Sequence, residues 1–371
     1  MPGKRAHSAG PSVPENRQAA GIKDIAKALG VSIGTVDRAL HGRAGINPLT
    51  RTRVLSMAQT LGYRPNMAAR YLKLGRKLRI SVHLPREIAV FFDSLRQGIL
   101  DAASPFESNV EVQFRDRHRL GEGEIEAFQQ ALDEHADGMI LAPGHPSELK
   151  SWIRKAARSH IPVVCVATDA PKTERLTSVS TDPYTSGAMV AEIFLCTVRQ
   201  PGSVLLVTGD LNTFDHAEKL RGFQEFLSMG GHLKLGPVIQ AHDDPEEAYR
   251  TVSDQLSGGN DICALYVSTA NSLPVIRAIE AANHLQNLTI VTTDLFPELA
   301  PLIRSGKVLG TVYQRPRTQG RMAFEALYRF LIERKCPPPR LRLLPHIVLR
   351  SNLDLILELQ RSDWEQPVSW N

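Results

Sequence analysis

Residues 22–40 read IKDIAKALGVSIGTVDRAL. Ile22, Ile25, Ala26 and Leu29 recur at i, i+3, i+4 and i+7, which places them on one face of a helix. Gly30 stops that helix, because the residue past a last turn often takes a left-handed backbone. Ser32 can accept a hydrogen bond from the first free N–H groups of a second helix. In that helix Val36, Ala39 and Leu40 share a face, while Ile33, Gly34, Asp37 and Arg38 point elsewhere. Two short helices joined by a tight glycine-containing turn predict a helix-turn-helix, with its second helix sized for the DNA major groove.

The charge distribution agrees with that module. Residues 1–77 hold 14 Lys and Arg against 3 Asp and Glu, whereas the other 294 residues hold 30 against 36. A basic N-terminal module on an acidic body is what phosphate-backbone binding requires, since Lys and Arg displace condensed counterions.

Outward from the motif, residues 1–20 are rich in Ala, Ser, Pro and Gly without periodicity and are expected to form a disordered basic arm. Downstream, Asn47-Pro48 is a strong helix start. Val54, Met57, Ala58 and Leu61 then supply the apolar stripe of a third helix, ended by Gly62. Tyr63-Arg64-Pro65-Asn66 leads into MAARYLKLG, a short helical segment closed by Gly75. From Leu78 the texture changes: RISVHL, VEVQF, GMILA and PVVCVA, then SVLLVT, ICALYV, LTIVTT, LGTVYQ and LRLLPHIVL, alternate with helical patterns. Continuous apolar strands separated by helices predict parallel sheets covered on both faces. A break near TDAPKTERLTSVSTDP divides them into two similar units.

At 371 residues the chain is long enough for two or three domains. No run approaches the roughly 20 apolar residues that span a bilayer. The first 21 residues lack an apolar h-region, so no secretory signal is expected and the cytoplasm is the expected location. Cys165, Cys196, Cys263 and Cys336 lie far apart without C-x-x-C spacing, which predicts reduced thiols and no structural metal. No phosphate-binding glycine motif or G-x-S-x-G elbow organises the His, Asp and Ser residues, so neither a cofactor nor catalysis is expected.

The segments DIAKALGVSIGTVDRALHG and TRTRVLSMAQTLGYRPNMAARYLK closely resemble the helix-turn-helix, third helix and hinge of the LacI/GalR (lac repressor) type bacterial transcription regulators. The likeness runs from Gly21 onward, and the body resembles the periplasmic-binding-protein-like effector domain of that family. It implies an all-α helix-turn-helix bundle followed by an α/β effector domain of two doubly wound, parallel-sheet lobes. The expected limits are 21–64 for the DNA-binding domain, 65–76 for a hinge helix and 77–371 for an effector and dimerisation domain. Within the last, the N-lobe is expected at about 77–172 and 307–337, and the C-lobe at about 173–306 and 338–371.

The resemblance also implies roles for residues. Ile33, Gly34 and Arg38 would face base edges, with Arg38 able to fork onto a guanine. Ser32, Thr35, His41, Asn47, Thr50 and Arg51 are better suited to phosphates. Leu72 matches the family's leucine lever, which wedges into a central minor-groove step, and Asn66, Ala69 and Lys73 complete the DNA-facing set. Three positions depart from the family pattern: Gly21 stands at a usual Thr cap, Gly34 at a longer contacting side chain, and Asp37 at a common Ser.

Ligands of open α/β sheets bind beyond the carboxyl ends of the strands. There LPREIAVFFDS carries Arg86, Phe91 and Phe92, the Phe pair resembling the ring-stacking aromatics of ribose-binding-type proteins. His145, Asp169, His216, Asn271, Asp294 and Gln314 follow other strands, and Asp182 before Pro183 reads as a helix cap. The arginine that relatives often place in the loop containing His216 is missing, with Lys219 and Arg221 as substitutes. Carboxylates, amides and imidazoles converging on a cleft suit a polyhydroxylated effector such as a sugar or sugar derivative. The expected protein is therefore a DNA-binding regulator, acting on double-stranded operator DNA as a homodimer or tetramer. A purine corepressor, a sugar-transport protein and an enzyme with a DNA-binding head stay as alternatives.

Overall fold

The computed structural model describes residues 21–40, 45–61, 63, 75–258, 261–283 and 288–361. It divides into two compact units that part between Gly75 and Arg76.

The first unit holds α1 (Ile22–Leu29), α2 (Ile33–Leu40) and α3 (Pro48–Thr60). Gly30 takes φ 63° and ψ 31°, the left-handed conformation that glycine adopts without a Cβ penalty. At Gly21, which has no side chain to cap with, the Asp24 carboxylate accepts the Gly21 N–H at 2.7 Å, supplying the return half of a capping box. Ile25, Ala26, Val36, Ala39, Val54 and Ala58 form the core, with Leu29, Leu40, Met57 and Tyr63 packed partly buried against it. The expected stripe of α3 is correct for Val54, Met57 and Ala58. Leu61 departs from it: it is the cap residue past the last turn and is exposed.

The body contains two six-stranded sheets. Leu78–Pro85 (β1), Val110–Arg117 (β2), Gly138–Leu141 (β3), Val163–Val166 (β4), Thr177–Thr181 (β5) and Arg340–Leu343 (β11) pair in the order β11-β5-β4-β3-β1-β2. Gly202–Thr208 (β6), Leu233–Gln240 (β7), Ile262–Val267 (β8), Thr289–Thr293 (β9), Gly310–Tyr313 (β10) and His346–Leu349 (β12) pair in the order β12-β10-β9-β8-β6-β7. Every pairing is parallel except β10 with β12. In β6, Leu205 and Val207 pack into one apolar cluster while Val204 and Leu206 pack into another, so this sheet is buried on both faces.

Three lobe assignments need correction. From sequence, 177–181 and 340–343 were expected in the second lobe and 310–313 in the first; strand pairing reverses all three. The run LRLLPHIVL is two strands, not one. Pro345, which lacks an N–H for a ladder, separates β11 in the first sheet from β12 in the second. As a result the chain crosses between lobes three times: after β5, after β10 and after β11.

Helices cover both sheets, and two pairs meet at glycines. A Cβ on Gly98 of α4 (Ala89–Ala103) would stand 1.9 Å from the Arg317 carbonyl oxygen of α12 (Pro316–Glu333). One on Gly222 of α8 (Phe214–Leu227) would stand 2.1 Å from the Tyr184 carbonyl oxygen of α7 (Pro183–Thr197). Asp182 caps α7 as expected, its carboxylate accepting the Thr185 N–H at 2.9 Å.

Candidate functional site

In the N-terminal unit, α2 presents Ile33, 51% exposed, together with Gly34 and Arg38 on its open side. Ser32 is the helix cap: its hydroxyl accepts the Thr35 N–H at 3.1 Å and lies 2.8 Å from the Thr35 hydroxyl. Both residues expected on phosphates therefore first satisfy the start of α2. Arg38 Nε donates to the Gly34 carbonyl one turn back at 3.1 Å, which orients the guanidinium along the helix. Asn47 caps α3 through the Leu49 N–H at 2.9 Å, Thr50 is half-buried and Arg51 exposed. Leu49, on the first turn of α3, is 75% exposed and was not singled out from sequence. His41, Asn66, Ala69, Leu72 and Lys73 lie outside the described residues.

In the body, residues from both lobes enclose a cavity of about 50 Å³ lined by Phe91, Phe92, Thr168, Asp215, His216, Lys219, Asp243, Asp294 and Gln314. A neighbouring chamber of about 290 Å³ shares Ile88, Phe91, Ala270 and Asp294 with it and adds Asn271 and Tyr313. Phe91 and Phe92 meet edge to face at 5.0 Å, so only one of the two rings can lie flat against a given ligand face.

Below the rings runs a buried polar chain. Lys219, 1% exposed, places Nζ 2.7 Å from Asp215 Oδ2, 2.9 Å from Gln314 Oε1 and 3.2 Å from the Ser268 carbonyl. The Gln314 side chain in turn donates to Asp294 at 2.7 Å, and its backbone N–H to the other oxygen at 3.1 Å. Burial pushes the Asp294 carboxyl up to about 6, against the lowering by the Gln314 hydrogen bond and by Lys219. Asp243 accepts the Thr269 hydroxyl at 2.6 Å.

Backbone conformation marks the same place. Ile88, Ala167, Asp243 and Asp294, all lining the smaller cavity, have φ of 53°, 67°, 57° and 67°. Each such non-glycine residue costs about 1–3 kcal/mol and persists where packing over-determines it, often at ligand sites.

Around this cavity the lobes are bonded to each other. The Thr213 hydroxyl donates to the Gly144 carbonyl at 3.0 Å, the Asp215 N–H to the Thr168 hydroxyl at 3.3 Å, and Arg119 to Asp244 at 2.7 Å. His145 Nε2 lies 3.0 Å from Asp210 Oδ2. The loop that carries His145 is held from beneath: Glu124, ion-paired with Arg117 at 2.7 Å, accepts the N–H groups of Gly144 at 2.6 Å and His145 at 3.1 Å.

Of the residues expected in the cleft, the structure gathers Phe91, Phe92, His216, Asp294 and Gln314 around the small cavity and Asn271 around its neighbour. Three lie elsewhere. Asp169 is clasped by both forks of Arg175, with Arg340 behind, and serves to tie the loop after β4. His145 bridges the lobes at the rim, and the side chain of Arg86, 74% exposed, pairs with Asp116 on the surface. Arg221, offered as a substitute arginine, bonds Glu218 and Glu225 outside the cavity. Lys219 alone takes the inward position. Asp215 and Lys219 were visible as an i, i+4 pair. Asp243 had no signal, because β7 before it was not recognised.

Residues 21–66 match the family model for bacterial regulatory proteins of the lacI family, and residues 80–335 match the periplasmic binding protein domain. Residues 21–66 are therefore a DNA-binding domain of the lacI family of bacterial regulatory proteins. The regulator's body belongs to the periplasmic binding protein domain family. Catabolite control protein A of Priestia megaterium is 26% identical over 310 residues, covering 80% of this chain and 91% of that one. That of Staphylococcus xylosus is 26% identical over 333 residues, covering 88% and 96%. Among solved structures, a solute-binding protein of Burkholderia graminis in complex with D-arabinose aligns with a TM-score of 0.70 at 21% identity, over 75% of this chain and 97% of that one. The glucose-galactose binding protein GanP of Geobacillus stearothermophilus gives 0.70 at 20%, over 75% and 99%. These two show the fold of the regulator's body. With a lacI-family DNA-binding domain at its N-terminus, the regulator is a DNA-binding transcription factor and not an enzyme. Among the described residues no helix is long and apolar enough to cross a membrane.

Proposed function

We propose that this regulator is a repressor whose two-lobed body binds a sugar or sugar derivative and thereby changes the affinity of the N-terminal unit for operator DNA. The observation that carries this reading is the cavity itself. Phenyl rings lie on one side, and carboxylates and amides at strand ends lie on the other, where they can accept from vicinal hydroxyls. Similar solved structures, one in complex with D-arabinose and one a glucose-galactose binding protein, support the same ligand class.

The regulator works as a cytoplasmic homodimer, with two N-terminal units on a pseudo-palindromic site. In each, Arg38 and Ile33 read base edges, Arg51 and the capped starts of α2 and α3 meet phosphates, and Leu72 wedges the minor groove. Residues 65–76 form the hinge, and the body from residue 77 also carries the dimer contact. Ligand binding favours the closed lobes, in which the bonds from Thr213 to Gly144 and from Arg119 to Asp244 form. Closure repositions the two hinges of the dimer and couples the ligand to DNA.

Thermal unfolding of the full chain against hexoses, pentoses, polyols and purines tests the ligand class. Stabilisation by at least one sugar or polyol, and an altered affinity for selected operator DNA with that compound, is the expected result. Stabilisation by purines alone would remove the sugar reading.

A further inference from the structure

We infer that the effector carries a positively charged amino group on its hydroxylated skeleton, an amino sugar or an amino polyol, with the ammonium seated among Asp215, Asp243 and Asp294. This inference rests on the sugar-type reading of the cavity and narrows it.

The argument is a count of charges and of hydrogen-bonding capacity around one small space. Three carboxylates, those of Asp215, Asp243 and Asp294, line the cavity of about 50 Å³, and each of these residues is more than nine-tenths buried. The ammonium of Lys219 also lines it, but its three protons are already taken by Asp215, Gln314 and the Ser268 carbonyl. Lys219 can therefore neutralise one carboxylate and has no proton left for a ligand. Asp243 and Asp294 have no ion-pair partner among the described residues; their hydrogen bonds come from the Thr269 hydroxyl and the Gln314 amides.

One acceptor at the same place is left without a donor. Asp215 Oδ1 is buried without a hydrogen-bond partner among the described residues. His216 directs Nδ1 to the Asp210 carbonyl at 3.1 Å; a carbonyl only accepts, so Nδ1 is the donor there. Unpartnered donors near by are the Asn271 amide nitrogen in the adjoining chamber and the Tyr266 hydroxyl, which burial, together with Asp215 and Asp294, makes harder to ionise.

A hydroxyl brings one proton and no charge to such a set. An alkylammonium brings three protons and one positive charge, and it satisfies two needs together: the orphaned acceptor on Asp215 and the uncompensated charge of the other carboxylates. Hydroxyls on the same skeleton can then accept from Asn271 and lay their carbon face on Phe91. A carboxylate or phosphate is disfavoured in the small cavity by the same count, since no cation with a free proton lines it; the exposed Arg277 lines the adjoining chamber alone.

Isothermal titration of the full chain with matched sets tests this: glucose, glucosamine and N-acetylglucosamine; the galactose and mannose equivalents; and sorbitol with 1-amino-1-deoxysorbitol. In at least one set the amine should bind 10-fold or more tighter than both its hydroxyl and N-acetyl counterparts. Asp243→Asn, which removes a charge and keeps the shape, should reduce that preference severalfold. The second variant Asp215→Asn, checked for folding by circular dichroism, should do the same. Hydroxyl forms binding as well as or better than their amines in every set that binds would overturn the inference and leave the sugar-type reading standing. Binding of no member of any set would overturn both. Saturable heat from calcium chloride alone would also overturn it, by assigning the carboxylates to an inorganic cation.

Discussion

Arg38 shows how a local bond prepares a residue for its role. Its Nε is engaged with the Gly34 carbonyl, so the guanidinium keeps its terminal nitrogens for a base edge while its reach is restricted. Arg38→Ala is expected to lower the preference for the selected operator over scrambled DNA by about 1–3 kcal/mol, read by fluorescence anisotropy, with ligand binding to the body unchanged. Unchanged selectivity would remove Arg38 from the reading surface. His83 answers to a different force. It lies in β1, 1% exposed, with Nε2 2.7 Å from the Ser81 hydroxyl, and burial, reinforced by Arg117 and Arg115, pushes its imidazole down to about 3. The unfolded chain protonates this group near 6.5, so below that pH the unfolded state binds the proton that the fold refuses. Stability contributed by His83 is thus whole above pH 6.5 and lost at up to about 1.4 kcal/mol per unit as pH falls toward 3. Asp294, raised to about 6, acts with the opposite sign, because the fold binds its proton first. Urea midpoints at pH 7 and pH 5 should therefore fall more steeply for the wild-type chain than for His83→Gln, in which Asp294 is unchanged; equal slopes would refute the assignment.

Among elements, the contact of α7 with α8 at Gly222 sets where the cavity-lining start of α8 sits within its lobe. Helix α8 carries Asp215, His216 and Lys219 into the cavity, and its contact with α7 has no room at Gly222 for a methyl group. Gly222→Ala should push α8 off α7, cost about 1–3 kcal/mol of stability and weaken ligand binding together, measured by calorimetry and titration. Gly34 makes the contrast. It sits in α2 with its nearest neighbour, Ser32 Oγ, 3.8 Å from an added Cβ. Gly34→Ala should raise the stability of the N-terminal unit by about 0.5–1 kcal/mol, the helical difference between the two residues, and a loss of stability there would contradict the open environment.

For the whole molecule, the relevant quantity is the balance between closed and open lobes. Three chain crossings permit a hinge, and a handful of side-chain bonds across the cleft favour closure. Arg119 is the one to remove: it links Glu87 at 3.0 Å in its own lobe to Asp244 in the other, whereas Asp244 is also the cap of the helix that begins at Pro245. The N–H of Glu247, and then Arg119, hold the Asp244 carboxyl below its usual range. A half-exposed pair of this kind contributes about 0.2–1 kcal/mol. Arg119→Ala should accordingly weaken effector affinity up to about fivefold, with less loss at high salt, while DNA binding without effector stays unchanged; full affinity would show that the pair does not report on closure.

Local pattern alone was enough to determine the three-helix unit, the alternation of apolar strands with helices, and the strand-end positions of Phe91, Phe92, His216, Asn271, Asp294 and Gln314. Caps, helical stripes and buried strands are written in consecutive residues, and each needs only its neighbours to be recognised. Tertiary structure decided the rest. Strand β5, TSVST, is central and fully buried, yet Ser and Thr give it no apolar signature; its hydroxyls are satisfied by distant carbonyls, Thr177 by Pro338 and Thr181 by Gln314. Strand β7, at a sheet edge and carrying Gly236 and Pro237, does not read as a strand, which hid Asp243 behind it. Lobe membership depends on which strand accepts which hydrogen bonds, so 177–181, 310–313 and 340–343 changed sides. Likewise Asp169 and Lys219 exchanged importance: two arginines 6 and 171 residues along the chain claim the first carboxylate, and the second side chain alone is turned inward.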